Sequence, residues 1–440
     1  MRRLGWMAVA LLLAATAAHG ARWIVPAHTA TGFTVVERTV RPQTANGWAL
    51  RDRPVKVPPV EIEPPDQLLL PLVRGENPDL LPDDGSPLRA HAANRIAELQ
   101  ALGLTGDGIA VAVLDTGIAP SPSGAERLVV ASWTAYADAV DRYGHGTAVC
   151  GVLAGSPAAV KYAGIAIGCR LLVGKVLDDS GSGDLSDVIL GLNWAVDRGA
   201  QVVNLSLGST PSAEPDALEL VCENLVAKGI IVVCAAGNSG YGPPFGEEVP
   251  YQIGSPACSA QVVCVGSVSG DDRLSGFSSR GPSIRGHAAP DFCAFGHVVP
   301  LAYGEGTAML AEAASCGNSG YRPASGTSFA CPYVAGLAAL WLSAGGKAGD
   351  FERLLAATCS GDVGQLPDDV SQANACGAGA VRAYVAFKKA GLVPEPPAPE
   401  PPPEPKPPTR GCGSLAAETL LGFAAFAVGC GLAGRRRRRP

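Results

Sequence analysis

Four short runs of this 440-residue chain carry side chains suited to acyl-transfer chemistry. Ser328 lies in Ala324-Ser325-Gly326-Thr327-Ser328-Phe329-Ala330-Cys331-Pro332, which opens directly onto a long apolar helical stretch. A hydroxyl there stands at a helix N-terminus, where backbone N–H groups stabilise a developing oxyanion. Serine is a weak nucleophile at neutral pH and needs an adjacent base. His145, set in Tyr143-Gly144-His145-Gly146-Thr147, is that base, because imidazole titrates near the working pH. Asp115 ends the run Val111-Ala112-Val113-Leu114 and is suited to orient the ring and stabilise its charged form. Asn238, closing Val233-Cys234-Ala235-Ala236-Gly237-Asn238, offers a carboxamide donor to the oxyanion.

Each residue alone has an ordinary structural reading. An Asp after a strand is usually a turn or cap, a His between glycines is more often structural, and a Ser after Gly-Thr is a helix cap. Those readings fail jointly, since four such coincidences in one chain are rare. The remaining histidines, His19, His28, His91, His287 and His297, have no comparable settings.

The elements that must position these residues are legible from about residue 95. Continuous apolar runs at 109–114, 171–177, 202–207, 230–235 and 262–265 have the length and composition of strands buried on both faces. Helical patterns lie between them, from Leu185 to Val196 with Ser182 or Asp184 as N-cap, and from Pro215 to Ala227 ending before Gly229. This alternation implies an α/β fold, three layers α/β/α around a mostly parallel, doubly wound sheet. Such sheets bind ligands beyond the carboxyl ends of their strands, and Asp115 and Asn238 both fall there.

The four runs, in the order Asp115, His145, Asn238, Ser328, resemble the subtilisin family (subtilases) over roughly residues 95–390. The resemblance implies a serine endopeptidase that hydrolyses peptide bonds through an acyl-enzyme on Ser328. It also implies substrate contacts. Ser206-Leu207-Gly208 resembles the edge segment that pairs with an extended peptide, Ala235-Ala236-Gly237 the opposite wall of the first specificity pocket, and Gly254 the residue near its base. Small walls suit a large apolar side chain, whereas Glu247 and Glu248 suit a basic one. Residues 303–322 look like an insertion beside the nucleophile, fit for a lid or a substrate-shaping loop. No cofactor is required and no metal ligand is assigned. Calcium is compatible with the resemblance but maps to no site. The competing reading is a catalytically silent subtilase-fold module that binds or displays.

Composition narrows the partners. The net charge is −6, and removing the seven terminal arginines (Arg2, Arg3, Arg435–Arg439) leaves the body at −13. An acidic body offers no footing for nucleic acid, so the expected partners are protein or peptide substrates, met by a monomer. Eleven of the 13 cysteines lie in the body, an odd number that leaves at least one unpaired. Cys150, Cys234 and Cys331 sit in apolar stretches as buried small hydrophobes. Cys359 and Cys376 bracket a polar loop and are the best-placed pair for a disulfide.

Both termini read as targeting segments. Residues 1–20 carry Arg2-Arg3, an apolar run from Leu4 to Ala18 and small residues to Ala21, the layout of a signal peptide. Residues 21–85 are an N-terminal extension or a propeptide, and 86–392 the catalytic domain. A Pro/Glu-rich linker occupies 393–410, an extended spacer without a core. Residues 411–440 hold Gly411-Cys412-Gly413, an apolar segment from Leu415 to Ala433 and the arginine cluster. That length suits a membrane span with its arginines in the cytoplasm. The tail resembles sorting tags of the MYXO-CTERM kind, in which the Cys before the apolar segment, here Cys412, marks the processing site. A plain membrane anchor is the alternative. Either tail places the chain outside the cytoplasm, at the cell surface or outer membrane.

Overall fold

The apolar runs become strands of one seven-stranded sheet, and the physical reason is burial on both sides. The computed structural model describes residues 21–27, 29–31, 33–38, 50–51, 54–56, 61–62, 90–156, 163–240, 253–309, 321–366 and 370–393. Residues 1–20, residues 394–440 and Glu247–Glu248 lie outside them. No helix among the described residues is long and apolar enough to cross a membrane.

The N-terminal part contributes β1 (Ala21–Pro26), β2 (Phe33–Arg38), β3 (Leu50–Arg51), β4 (Pro54–Lys56) and β5 (Glu61–Ile62), then helix α1 (Ile96–Ala101). There follow β6 (Ala110–Asp115), β7 (Val129–Thr134), α2 (His145–Ala154), β8 (Arg170–Lys175), β9 (Ser182–Asp184) and α3 (Leu185–Asp197). Next come β10 (Val202–Leu205), α4 (Ala217–Ala227), β11 (Ile231–Ala235), β12 (Val263–Val268), β13 (Phe292–Phe295), β14 (Val299–Ala302) and β15 (Tyr321–Ser325). The last helices are α5 (Thr327–Ser343), α6 (Ala348–Ala356), α7 (Gln372–Ala375) and α8 (Ala383–Lys389).

The large sheet has the order β13-β12-β11-β10-β6-β8-β7, with every neighbouring pair parallel. Alternate residues of one strand feed two separate cores, as the two-residue period of a strand requires. In β6, Val111 and Val113 enter one core, and Ala110, Ala112 and Leu114 the other. Helices α2 and α5 cover the first face, and α3 and α4 the second, giving the three-layer α/β/α architecture expected.

Helix α5 is buried around its whole circumference from Thr327 to Trp341, so its apolar residues show no single stripe. Gly336 admits this packing, because a Cβ there would stand 2.6 Å from Ile165 Cβ. On the other face α4 is closed by a capping box. Asp216 accepts from Glu219 N at 3.0 Å, and the Glu219 carboxylate accepts from Asp216 N. The helix therefore begins two residues later than the apolar pattern alone suggests. Asp184 occupies the cap position of α3 but makes no cap bond with its side chain. It pairs instead with Arg22 at 3.3 Å, while Ser182 belongs to β9.

The cysteine expectation divides. Cys150, Cys234 and Cys331 are fully buried, as their apolar settings predict. Cys359 and Cys376 form no disulfide. Each thiol turns back to the carbonyl four residues earlier, Cys359 to Leu355 at 3.3 Å and Cys376 to Gln372 at 3.5 Å. Bracketing a loop in sequence does not make two side chains face each other, and local carbonyls satisfy both thiols.

Candidate active site

Asp115 closes β6 at its carboxyl end, and His145 opens α2 after a tight turn. Gly144 makes that turn at φ 110°, in the left-handed region that suits glycine. The flanking Gly146 has a different reason to lack a side chain. A Cβ there would lie 2.3 Å from Gly117 O and 3.2 Å from Asp115 Oδ1. Small neighbours thus serve the approach of α2 to the end of β6.

Both oxygens of Asp115 reach His145 Nδ1, at 2.8 and 3.0 Å. Asp115 Oδ1 also accepts from Thr116 N at 2.7 Å, which fixes the carboxylate in place. With Nδ1 donating to the carboxylate, Nε2 is the face left for proton transfer. Nε2 is buried and has no hydrogen-bond partner among the described residues. The ring lies beside Phe329, with centroids 5.7 Å apart.

Ser328 is the second residue of α5, where a helix leaves its first N–H groups without intrahelical acceptors. Pro332 stands four residues on and has no N–H, so it cannot donate to the Ser328 carbonyl. That carbonyl accepts from the Ser206 hydroxyl at 2.8 Å instead, which ties the start of α5 to the end of β10. Ser328 Oγ itself makes only a long 3.5 Å contact to Ser206 O. Asp115, His145 and Ser328 are all at 0% exposure.

Asn238 Oδ1 accepts from both Thr327 N and Thr327 Oγ1, each at 2.8 Å. The acceptor end is thereby engaged by Thr327, and the donor end is the one toward Gly326, where a Cβ would lie 3.2 Å from Nδ2. Thr327 Oγ1 further accepts from Gly237 N at 3.1 Å. These bonds join the β11 loop to the first turn of α5. Gly254 N donates to Ala236 O at 3.3 Å, so the expected wall and base of a pocket meet. Ala235 ends β11, and Leu207 is buried in the second core. Gly208 is paired with the chain's own Lys56.

Two positioning residues escaped the reading of motifs. Asp141 is buried and gathers the His145 turn. Its oxygens accept from Thr116 Oγ1 (2.9 Å), Tyr143 N (3.0 Å), Gly144 N (2.7 Å) and both Thr147 N and Oγ1 (2.9 and 2.6 Å). The signal was an Asp four residues before the His, in a turn sequence. Lys175 is buried at the end of β8 and donates to Thr116 O at 2.8 Å while pairing with Asp179. The described start of the 303–322 insertion runs past the histidine turn, Ala308 N and Met309 N donating to Arg142 O and Tyr143 O, both at 2.9 Å. Residues 310–320 lie outside the described residues.

Among the described residues no three or more His, Cys, Asp or Glu side chains gather as a metal-ligand set.

Comparison with known proteins bears on the family to which the chain belongs. The sequence profile of the subtilase family matches residues 106–360. The serine protease AprX of Bacillus subtilis (strain 168) is 36% identical over 267 residues, covering 54% of this chain and 58% of the relative. M-protease of Shouchella clausii (strain KSM-K16) is 36% identical over 239 residues, 54% of this chain and 55% of the relative. Subtilisin Savinase of Lederbergia lenta is 36% identical over 239 residues, 54% of this chain and 77% of the relative. The chain thus spans little more than half the length of the first two.

Proposed function

The chain belongs to the subtilase family, and on that premise we propose that it is an exported serine endopeptidase acting through Asp115, His145 and Ser328. His145 Nε2 takes the Ser328 proton as Oγ attacks the scissile carbonyl, and Asp115 steadies the imidazolium. The Asn238 carboxamide and the Ser328 N–H receive the oxyanion. The nitrogen of the leaving chain then takes the proton from His145, and water releases the acyl group. These side chains carry every step.

The observation that carries the reading is the state of His145. Two carboxylate contacts hold Nδ1, while Nε2 is buried and unpartnered among the described residues. A buried polar atom without a partner costs about 1–3 kcal/mol, and fold stability gives no reason to keep one. Designations of the relatives as serine proteases support the same reading.

Around this centre, residues 1–20 act as the export signal, 21–85 as the N-terminal extension or propeptide, 86–392 as the catalytic part and 393–410 as a spacer. The apolar tail holds the protein at the membrane or outer surface, with Cys412 as the processing site. Labelling of the purified chain with a fluorophosphonate tests the central proposal. Labelling that disappears in Ser328→Ala supports it. A folded chain that stays unlabelled after its N-terminal segment is removed leaves only the silent module.

A further inference from the structure

The turn that delivers His145 divides its backbone polar groups between two partners. Its donors go to the buried Asp141 carboxylate, which accepts from Tyr143 N and Gly144 N. Its acceptors go to a different part of the chain, Arg142 O receiving Ala308 N and Tyr143 O receiving Met309 N, both at 2.9 Å. Gly144 O completes the set by accepting from Ala148 N at 3.1 Å, within α2. Each of these groups is met by a fixed partner rather than by water.

Side chains reinforce the backbone contact. A Cβ on Gly144 would stand 2.9 Å from Thr307 Oγ1, 3.1 Å from Thr307 Cβ and 3.3 Å from Met309 Cβ, so both residues lie against that glycine. Thr307 and Met309 are each only 2% exposed. The Thr307 hydroxyl donates to Gly304 O at 2.9 Å, which closes a tight turn through Gly306 at φ 79°.

The same segment reaches the other two arms of the triad. A Cβ on Gly304 would lie 2.7 Å from Ala119 Cβ, four residues beyond Asp115. Ala119 N donates in turn to Thr147 Oγ1 on α2 at 3.0 Å. Immediately before the segment, β14 runs antiparallel to β15 with Val299 opposite Ala324, four residues before Ser328. Val298 N also donates to Ser325 Oγ at 2.8 Å. The chain therefore passes from the strand beside the serine, over the loop after the aspartate, to the turn before the histidine.

We propose that residues 303–309 brace the triad, with Thr307 and Met309 as positioning residues for His145. They act through Gly144 and not on the reacting atoms. Glycine populates positive and negative φ about equally, so Gly144 permits the turn at φ 110° without selecting it. Selection falls to what packs on it, and Thr307 and Met309 cover the face that Asp141 leaves open. Rotation at Gly144 would swing the imidazole at the start of α2, and a misplacement of about 1 Å costs about 10²-fold in rate. The inference rests on the peptidase reading above.

The test uses the full chain in five forms: native, Met309→Ala, Met309→Leu, Thr307→Ala and Leu355→Ala. Three quantities are read in each: unfolding by denaturant, the rate of fluorophosphonate labelling, and exchange with water of the proton on His145 Nδ1, followed by NMR. Met309→Ala labels about 10- to 100-fold slower than native, and its Nδ1 proton exchanges at least about tenfold faster. Thr307→Ala moves both in the same directions by a smaller factor. Met309→Leu keeps the volume and stays within about threefold of native in both. Leu355→Ala opens a cavity in the same core but on α6, which bears no triad residue, so it loses stability while labelling and exchange stay native. Should Met309→Ala fail to fold, Thr307→Ala decides. Labelling and exchange that stay native in both brace variants overturn the inference. So does a Leu355→Ala chain that slows labelling as much as Met309→Ala. Absence of labelling in every folded form overturns the peptidase reading, while faster Nδ1 exchange in Met309→Ala alone among the methionine and leucine variants still supports the brace.

Discussion

The two faces of the central sheet are built for different work. The face covered by α2 and α5 carries His145 and Ser328 on its helices, and its core is continuous from Leu99 to Phe387. The face covered by α3 and α4 contributes no side chain to the triad and instead receives the N-terminal strands, through Ile24, Phe33 and Val55. On the proposed mechanism the first face must hold the reacting atoms to fractions of an ångström, and its helix α5 is buried all round from Thr327 to Trp341. The second holds the N-terminal strands by apolar burial alone at these three side chains. The two cores are separated by the thickness of one sheet.

The largest effect expected from breaking this division lies on the first face. Asp115→Asn should lower kcat by about 10⁴-fold with the fold intact, a magnitude known from serine proteases, subtilisin among them, and not obtained from this chain. Steady-state kinetics on an activated chain checks it, and a loss under tenfold would remove Asp115 from the machinery. Gly336→Ala should cost about 1–3 kcal/mol in denaturant unfolding, since the new methyl meets Ile165 within a packed core.

A subtler effect is expected at the sheet edge. Burial, with the Glu352 carboxylate nearby, pushes Asp291 up to about 7, against the bond it receives from Cys264 N. The folded chain then holds a proton that the unfolded chain releases from about pH 4 upward. Stability should therefore fall as pH rises from about 4 to 7 and level off above. Asp291→Asn keeps the acceptor and should flatten that fall, as unfolding at a series of pH values would show. The smallest global effect belongs to the second face. Ile24→Ala should loosen the hairpin, seen as lost hydrogen-exchange protection over 21–38, while unfolding of the remainder shifts by less than about 1 kcal/mol. A shift equal to that of Gly336→Ala would mean that the two faces form one cooperative unit.

Five of the seven strands were legible because they are apolar on both sides, whereas the half-exposed edge strand β7 and the short β13 at the other edge were not. The four motifs were legible because short-range spacing places each at a strand end or helix start. What escaped was non-local. Asp141 is unremarkable as a residue type and gains its role from the five groups it gathers. The pairing of Lys56 with Gly208 joins residues 152 positions apart, and nothing in the irregular sequence of 50–62 announces a strand. Cys359 and Cys376 show the converse, since their spacing suggested a bond that their orientations refuse.

The ten described cysteines are all free, nine of them buried, and burial pushes those of Cys169 and Cys258 up to about 12. A thiol held so far from ionisation is a poor partner in exchange, so these buried thiols resist both oxidant and reductant in the native fold. Among the described residues there is no covalent record of the molecule's shape. Every newly made copy exposes those thiols before the cores close, and in an oxidising compartment each wrong pairing is a dead end. Folding is then a race between packing and oxidation, and refolding yield should rise with added reductant while the finished protein is unchanged by it.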